Sequence, residues 1–409
     1  MAVLNVIETL RLHYKGAFVA AALAFGIWDA QIVGFFAWPD AVIYDLAMRH
    51  APARPGTPRV LVVGADPQDR DAGDSYWLRA LETLAKLDAR QIIFTFLPTK
   101  ASSRFYQQAT SAGNVLFGRG LIADPTNSTE GVQLEPWPSA VGTLGKQPAF
   151  GVVTLPPASN GIYRHQYAWH TVQGHRYPAL ENQAASQWAV NQPPLPETPN
   201  WVSFRGGSAY LPTVELGRVL RDGLIPTVVK GRSVLIGLLP SPRTPGLHTP
   251  LDPADGPGMS LLTFQGYALE TLLNDQPIQP LATALTLALL VIAVVTNIIL
   301  YQWGWPRLGP WLTGAVLSIY ASVSLLLPLY AHLWLPLTAL VVAQAGAFVT
   351  VFWYKLLAQD RAIRSLAIDL SARSREQAIP PGFYAASEPW NQVVDLVRLD
   401  KDADFAPGL

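Results

Sequence analysis

Between Leu281 and Tyr354 the chain carries no Asp, Glu or Lys and a single Arg, Arg307. A helix needs about 20 consecutive apolar residues to cross a bilayer, and polar breaks divide this stretch into runs of that size at 281–302, 308–329 and 333–354. Trp303-Gly304-Trp305-Pro306-Arg307 makes the first turn. Pro328, His332 and Pro336 make a hinge before the last run, because proline lacks the donor for a helical hydrogen bond. Loops this short predict antiparallel neighbours. A fourth apolar run, 16–38, follows Arg11, His13 and Lys15 and is broken only by Asp29 and Gln31. A cleavable leader begins the same way. This run is long for a leader, however, and closes on the aromatic Phe35-Phe36-Ala37-Trp38-Pro39, which predicts a signal anchor.

The intervening region has a different pattern. Residues 59–66 and 91–97 are continuous apolar runs with β-branched residues, as in strands buried on both faces. Between them Trp77, Leu78, Leu81, Leu84 and Leu87 share a helical face over 75–87. Strand, helix and strand in this order predict a βαβ unit with parallel strands. Further helices are predicted at 102–112, 178–190, 212–220 and 261–274, and strands at 114–118, 150–154, 200–205 and 232–237. Residues 162–177 alternate around Gln173-Gly174 as in a hairpin. Pro39 to His50, with Val42, Ile43, Leu46 and Met48 at helical spacing, extends the first helix or caps the domain. The fold class expected is α/β, a mixed sheet with helices on its faces, plus four transmembrane helices.

Arg11, Lys15, Arg307, Lys355, Arg361, Arg364, Arg373 and Arg375 all fall on one side of a four-span chain. By the positive-inside rule that side is cytoplasmic. The expected organisation is a cytoplasmic N-terminus (1–15), an anchor (16–38), an extracytoplasmic α/β domain (39–280), spans at 281–302, 308–329 and 333–354, and a cytoplasmic tail (355–409). In the tail Ile363, Leu366, Ala367 and Leu370 form an amphipathic stripe. A formal net charge of zero, with 14% charged residues, argues against nucleic acid as a partner. The absence of cysteine excludes disulfides, thiol catalysis and thiolate metal sites.

Several of these segments resemble one known family. Tyr44-Asp45-Leu46 with Arg49, the 59–65 and 91–97 strands, Arg205-Gly206, the helix near 214–220 and Lys230 to Gly237 are similar to the CHASE sensor domain of the second type (CHASE-2). So are Leu247-His248-Thr249-Pro250, Gly266 to Asn274 and the Leu333-Trp334-Leu335-Pro336-Leu337 approach to the last span. The resemblance covers about residues 44–357. It implies a bacterial receptor of the cytoplasmic membrane whose exported domain regulates a cyclase, kinase or phosphodiesterase. This chain departs from the family in three places: Val63-Gly64-Ala65-Asp66 replaces alternating acidic residues, Thr95 a common Asp, and Phe264-Gln265 stands where a His is usual. About 54 residues follow Lys355.

Candidate chemistry is sparse. Phe204-Arg205-Gly206-Gly207-Ser208 offers a guanidinium with glycine-freed amides for an anion, or simply a turn after a strand. His248 and Asp252 follow the neighbouring strand, where α/β ligands bind. Arg205, His248 and Asp252 are therefore the ligand-binding candidates. Asp29 and Asn297 are polar residues within spans and so candidates for intramembrane function, with helix-to-helix hydrogen bonding as the alternative for Asn297, Gln344 and Ser318. His165, His170 and His175 recur every five residues, but a spacing of five reverses the strand face. They read as scattered surface histidines, and no metal or cofactor is expected.

Phosphate-loop, zincin, serine-hydrolase and kinase motifs are absent. The expectation is a non-enzymatic sensory membrane protein that perceives an extracytoplasmic ligand or partner and relays it to a separate effector. Membrane lipid and a possible second copy are its other partners. The alternative is an accessory subunit of a larger envelope complex.

Overall fold

The computed structural model describes residues 22–53, 56–123, 132–155, 158–188, 199–223, 225–239, 246–252, 256–274, 277–303 and 309–376. The chain divides into two compact units. One comprises Asp29–Thr286 with Ser318–Ala339, and the other the described residues of Met1–Trp28, Leu287–Leu317 and Leu340–Leu409.

The first unit is built on a seven-stranded mixed sheet. In chain order its strands are β1 (Val60–Ala65), β2 (Gln91–Phe94), β3 (Val115–Ala123), β4 (Val132–Leu134), β5 (Phe150–Val153), β12 (Thr213–Glu215) and β13 (Ser233–Leu238). The spatial order is β12-β1-β13-β2-β3-β4, with β5 also paired to β3. All pairs are parallel except β3 with β4. The last strand in sequence, β13, thus lies between β1 and β2, with Val62 opposite Leu235 and Leu235 opposite Ile93.

Alternation along these strands divides the core in two. Leu61, Val63, Ile92, Phe94, Phe117, Val234 and Ile236 belong to one cluster, whereas Val60, Val62, Ile93, Leu116 and Leu235 belong to the other. The first is covered by α2 (Asp74–Lys86), α3 (Ser103–Ala112), α5 (Leu216–Asp222) and the short α6 (Pro226–Val229). Trp77, Ala80, Leu81 and Leu84 make the buried stripe of α2. Ser102 caps α3 by accepting from Arg104 N, and Gly113 closes it with φ 72°.

The second face is covered by α1 (Ala37–Arg49), α4 (Leu180–Trp188) and α7 (Leu261–Leu273). Helix α7 is apolar nearly all round, as a helix enclosed by the fold must be. Its one buried acid, Glu270, accepts from Arg59 N and Val60 N at 2.9 Å and so satisfies the amides that start β1. The sheet approaches α4 closely at Gly151, where a Cβ would lie 2.4 Å from Leu180 Cα.

A smaller antiparallel group lies between β5 and α4. It comprises β6 (Ala158–Ser159) with β7 (Ile162–Tyr163), β8 (His165–Gln166), and the hairpin β9 (Trp169–Val172) and β10 (His175–Pro178). The hairpin turn is Gln173-Gly174 at φ 50° and 78°, the paired positive values of a two-residue type I′ turn.

Some boundaries differ from the sequence reading. Residues 212–220 are not one helix, because Thr213–Glu215 joins the sheet edge beside β1 before α5 begins. The strand expected at 200–205 is only β11 (Asn200–Trp201), paired with β8. Helix α1 is separated from the helix at 22–32 by a turn. Its buried face is Asp40, Ala41, Tyr44, Asp45, Ala47 and Met48, while Val42 and Leu46 are exposed.

Three further helices follow, α8 (Thr283–Trp303), α9 (Gly309–Tyr330) and α10 (Leu337–Glu376). Helix α9 continues through Pro328, and the break comes at His332, whose φ is 53°. Helix α10 starts at Leu337 rather than Leu333, since Leu333–Trp334 form a short strand, β15, beside β14 (Gln279–Pro280). Among the described residues Trp311–Tyr330 is long and apolar enough to cross a membrane, and Thr283–Thr296 and Leu337–Thr350 are shorter apolar helices. In the second unit Gln344 Nε2 reaches Ala293 O at 3.4 Å, and a Cβ on Gly346 would meet Leu23 at 3.1 Å. This is the close packing expected of small and amide residues between apolar helices.

Candidate functional site

Within the sheet-bearing unit, polar and aromatic side chains gather where α1, the α9–α10 connection and the loops after β8 and β11 meet. Trp334 is 4% exposed and belongs to the second core cluster. Its ring lies 5.7 Å from Tyr44 and 5.4 Å from Trp201, and Trp201 is 4.3 Å from Tyr44 and 4.1 Å from His165. Tyr44 also donates its hydroxyl to Val202 O. The α9–α10 connection is thereby anchored as part of the domain core.

Each end of that connection is also held by a charged residue. Arg205 Nη1 donates to Leu329 O at 2.9 Å, in the last turn of α9. Asp40 accepts from Thr338 N at 2.9 Å, in the first turn of α10, where backbone donors lack helical partners and the helix dipole favours a carboxylate. Burial raises the Asp40 carboxyl above the ordinary carboxylate range, against the lowering effect of its bonds from Thr338 and Gln31.

Helix α1 is tied down further along its length. Arg164 Nε and Nη2 each donate to one oxygen of Asp45 at 2.7 Å, with side chains only 2% and 8% exposed. Arg49 Nε donates to Pro250 O at 2.8 Å. The Tyr44, Asp45 and Arg49 signature is thus the contact row of α1. Arg164 and Asp40 were missed in the sequence. An isolated arginine inside a polar, alternating segment gives no sign that it is buried.

A separate cavity of about 20 Å³ lies in the same unit, beyond the carboxyl end of β5. Val152 and Thr154 reach it from the sheet, Gln166, Tyr167 and His170 from the small strands, Glu181 from the first turn of α4, and Leu261, Phe264 and Gln265 from the first turn of α7. Burial pushes the Glu181 carboxyl up to about 7 and lowers the pKa of His170. Thr154 Oγ1 lies 3.4 Å from His170 Nε2. Gln166 is 5% exposed, and its Oε1 has no hydrogen-bond partner.

The residues singled out in the sequence take separate places. Arg205 holds α9 as described. Asp252 accepts from Thr249 N at 2.8 Å and Thr249 Oγ1 at 2.7 Å, a local turn, and the exposed His248 receives Tyr163 N at its carbonyl. No hydrogen bond or ion pair joins any two of the three among the described residues. Asp29 is exposed in the helix at 22–32. Asn297 falls in α8, and its side chain lies outside the described residues.

The histidines are not scattered surface groups. His165 is packed on Trp201, and burial together with the Arg164 charge lowers its pKa to about 4. His170 is part-buried at the cavity, and His175 alone is exposed. Among the described residues no group of three or more His, Asp or Glu is placed to hold a metal ion.

The model of the CHASE2 domain family matches residues 18–300 of the chain. No curated protein and no solved structure matches it.

Proposed function

Since the chain belongs to the CHASE2 domain family, a family of extracytoplasmic sensory domains, we propose that its sheet-bearing unit perceives a ligand or partner outside the cytoplasm and relays the change through α10 to a separate effector. The reading places four spans in the bacterial cytoplasmic membrane, at 16–38, 281–302, 308–329 and 337–354. The apolar helices α8, α9 and α10 and the one-sided arrangement of basic residues support it. No step of the relay calls on catalysis by this chain.

The observation that carries the relay is the continuity of α10. Its first turn is bonded to Asp40 and preceded by the buried Trp334, yet it continues as one helix from Leu337 to Glu376. At about 1.5 Å per residue a 40-residue helix is about 60 Å long. Ile363 and Leu366 near its far end are 68% and 65% exposed. A helix bonded at its first turn to the sensing unit can pass on a change there, provided the domain has two states that the ligand binds unequally.

The chain has no cysteine, so a single cysteine at position 363 can be spin-labelled without background. Replacing Trp334 by Ala in that labelled full-length protein should change the label's mobility or accessibility while the sheet stays folded. An unchanged label, with the Trp334 site demonstrably loosened, would show that α10 is not coupled to the domain.

A further inference from the structure

Helix α10 packs in its own chain along one face and leaves another open. Leu340, Ala343, Gln344 and Ala347 are 0–2% exposed within the second unit. The other side repeats every seven residues. Written as the a and d positions of a heptad, Val349, Phe352, Leu356, Gln359, Ile363 and Leu366 follow one another, and all six are exposed. In the same phase Val342 and Ala345 precede them and Leu370 follows. An apolar repeat of this period over four heptads is the pattern of a coiled-coil seam.

Lipid covers such a seam only as far as the span reaches. No Pro or Gly occurs between Ala347 and Glu376, and α10 is one helix throughout, so nothing kinks it onto the membrane surface. At about 1.5 Å per residue, Ile363 and Leu366 stand about 14 and 18 Å beyond the end of the span at 354. They are 68% and 65% exposed, in water, where covering them is favourable.

The flanking positions indicate the cover. In a parallel two-stranded coil each g position meets the e position of the next heptad on the partner helix. Lys355 is thereby set against Asp360, Ala362 against Ala367 and Asp369 against Ser374. The first pair is of opposite charge, the second is small and apolar, and none is of like charge. Asp360 also lies 3.1 Å from Arg364 of its own helix, an exposed pair that holds it weakly.

We propose that a second copy of this chain covers the seam, so that two α10 helices leave the membrane side by side as a parallel coiled coil over residues 356–370. The parallel orientation rests on the four-span topology proposed above, which gives every copy of α10 the same direction. The relay then ends in a pair of helices, and the effector reads their spacing or rotation.

The test uses the full chain in membrane vesicles. Because the chain has no cysteine, Ile363→Cys and Leu366→Cys on the seam can be compared singly with Arg361→Cys and Ile368→Cys, which fall at f positions away from it. Ile368 is 63% exposed, as open as the seam residues, so exposure alone predicts equal rates. Oxidation with copper phenanthroline should link the seam cysteines into dimers about tenfold faster than the others, because a disulfide needs Cα atoms within about 7 Å. Adding Ile363→Asp to Leu366→Cys should remove that link by placing two carboxylates in the seam. Equal rates at 363, 366 and 368, or a link that survives Ile363→Asp, overturn the proposal. So does protection of the seam cysteines without any dimer, which marks an effector as the cover. In either failure, a reporter after Gln377 that reads cytoplasmic leaves the topology and the relay standing, whereas one that reads exported removes the parallel pair together with them.

Discussion

The Arg164–Asp45 pair is where α1 is most exposed to perturbation. Both carboxylate oxygens are engaged at 2.7 Å by a guanidinium that is 2% exposed, and Arg164 Nη1 also donates to Ser159 O at 2.9 Å. Asp45→Asn keeps the shape and removes the charge, which leaves a buried guanidinium uncompensated. Removing one partner of a buried pair costs about 3–5 kcal/mol, a large share of the roughly 5–15 kcal/mol that stabilises a typical domain. By contrast, replacing both residues together, as Asp45→Leu with Arg164→Met, removes both desolvation costs at once and should be near neutral. Denaturant unfolding of the full chain in mild detergent measures all variants. Limited proteolysis shows whether the loss is global or confined to the 37–50 segment. If Asp45→Asn falls within about 0.5 kcal/mol of the parent, the range of an ordinary surface substitution, the pair does not hold α1. If the double variant is as unstable as the single, the loss is one of packing rather than of unpaired charge.

Other expected outcomes can be checked separately. Ile236→Asp puts a charge on the central strand at a fully buried position and should cost several kcal/mol, visible as loss of the cooperative transition. Glu181 has its pKa raised from 4.5 to about 7, so its contribution to stability is complete below 4.5 and lost as pH rises through 7. At about 1.4 kcal/mol for each tenfold change in proton affinity this amounts to about 3 kcal/mol, and Glu181→Gln should flatten that limb of the pH–stability curve. His165 works in the opposite direction: its pKa falls from 6.5 to about 4, so stability present above 6.5 is lost as pH falls toward 4, and His165→Phe should remove that acid limb. Reporter fusions after Asn127 and after Gln377 should report opposite sides of the membrane; the same side for both would refute the four-span arrangement.

The central strands were legible because burial on both faces leaves an unbroken apolar run, and β1, β2 and β13 are such runs. Helices with one buried stripe, α2 and α3, were equally plain. What escaped was decided by partners distant in sequence. β12 is three residues long and exists through its pairing to β1, so 212–220 reads as helix throughout. In α1 the conspicuous apolar residues Val42 and Leu46 face outward, and the buried face includes Asp40 and Asp45. Hydropathy cannot assign such a face, because its acids are buried only by virtue of Thr338 and Arg164. The same holds for the site. Arg205 stands out in the sequence for its glycines but holds the end of α9, while Glu181 and Gln166 sit in unremarkable polar segments that only the fold brings together.

The position of β13 has a consequence for how the sheet assembles. Val62 of β1 pairs with Thr213 on one side and Leu235 on the other, so neither neighbour of β1 has been synthesised when β1 and β2 emerge. The α2-containing unit between them cannot close a sheet alone, because the strand that belongs in its middle arrives last. Contacts of such long sequence separation make folding slow, since loop closure precedes any gain from pairing. Until residue 238 is available, β1 and β2 present open edges of Val, Leu, Ile and Phe to solvent, the state most prone to aggregation. Insertion of β13 is therefore what joins β1 to β2 and completes the sheet between them.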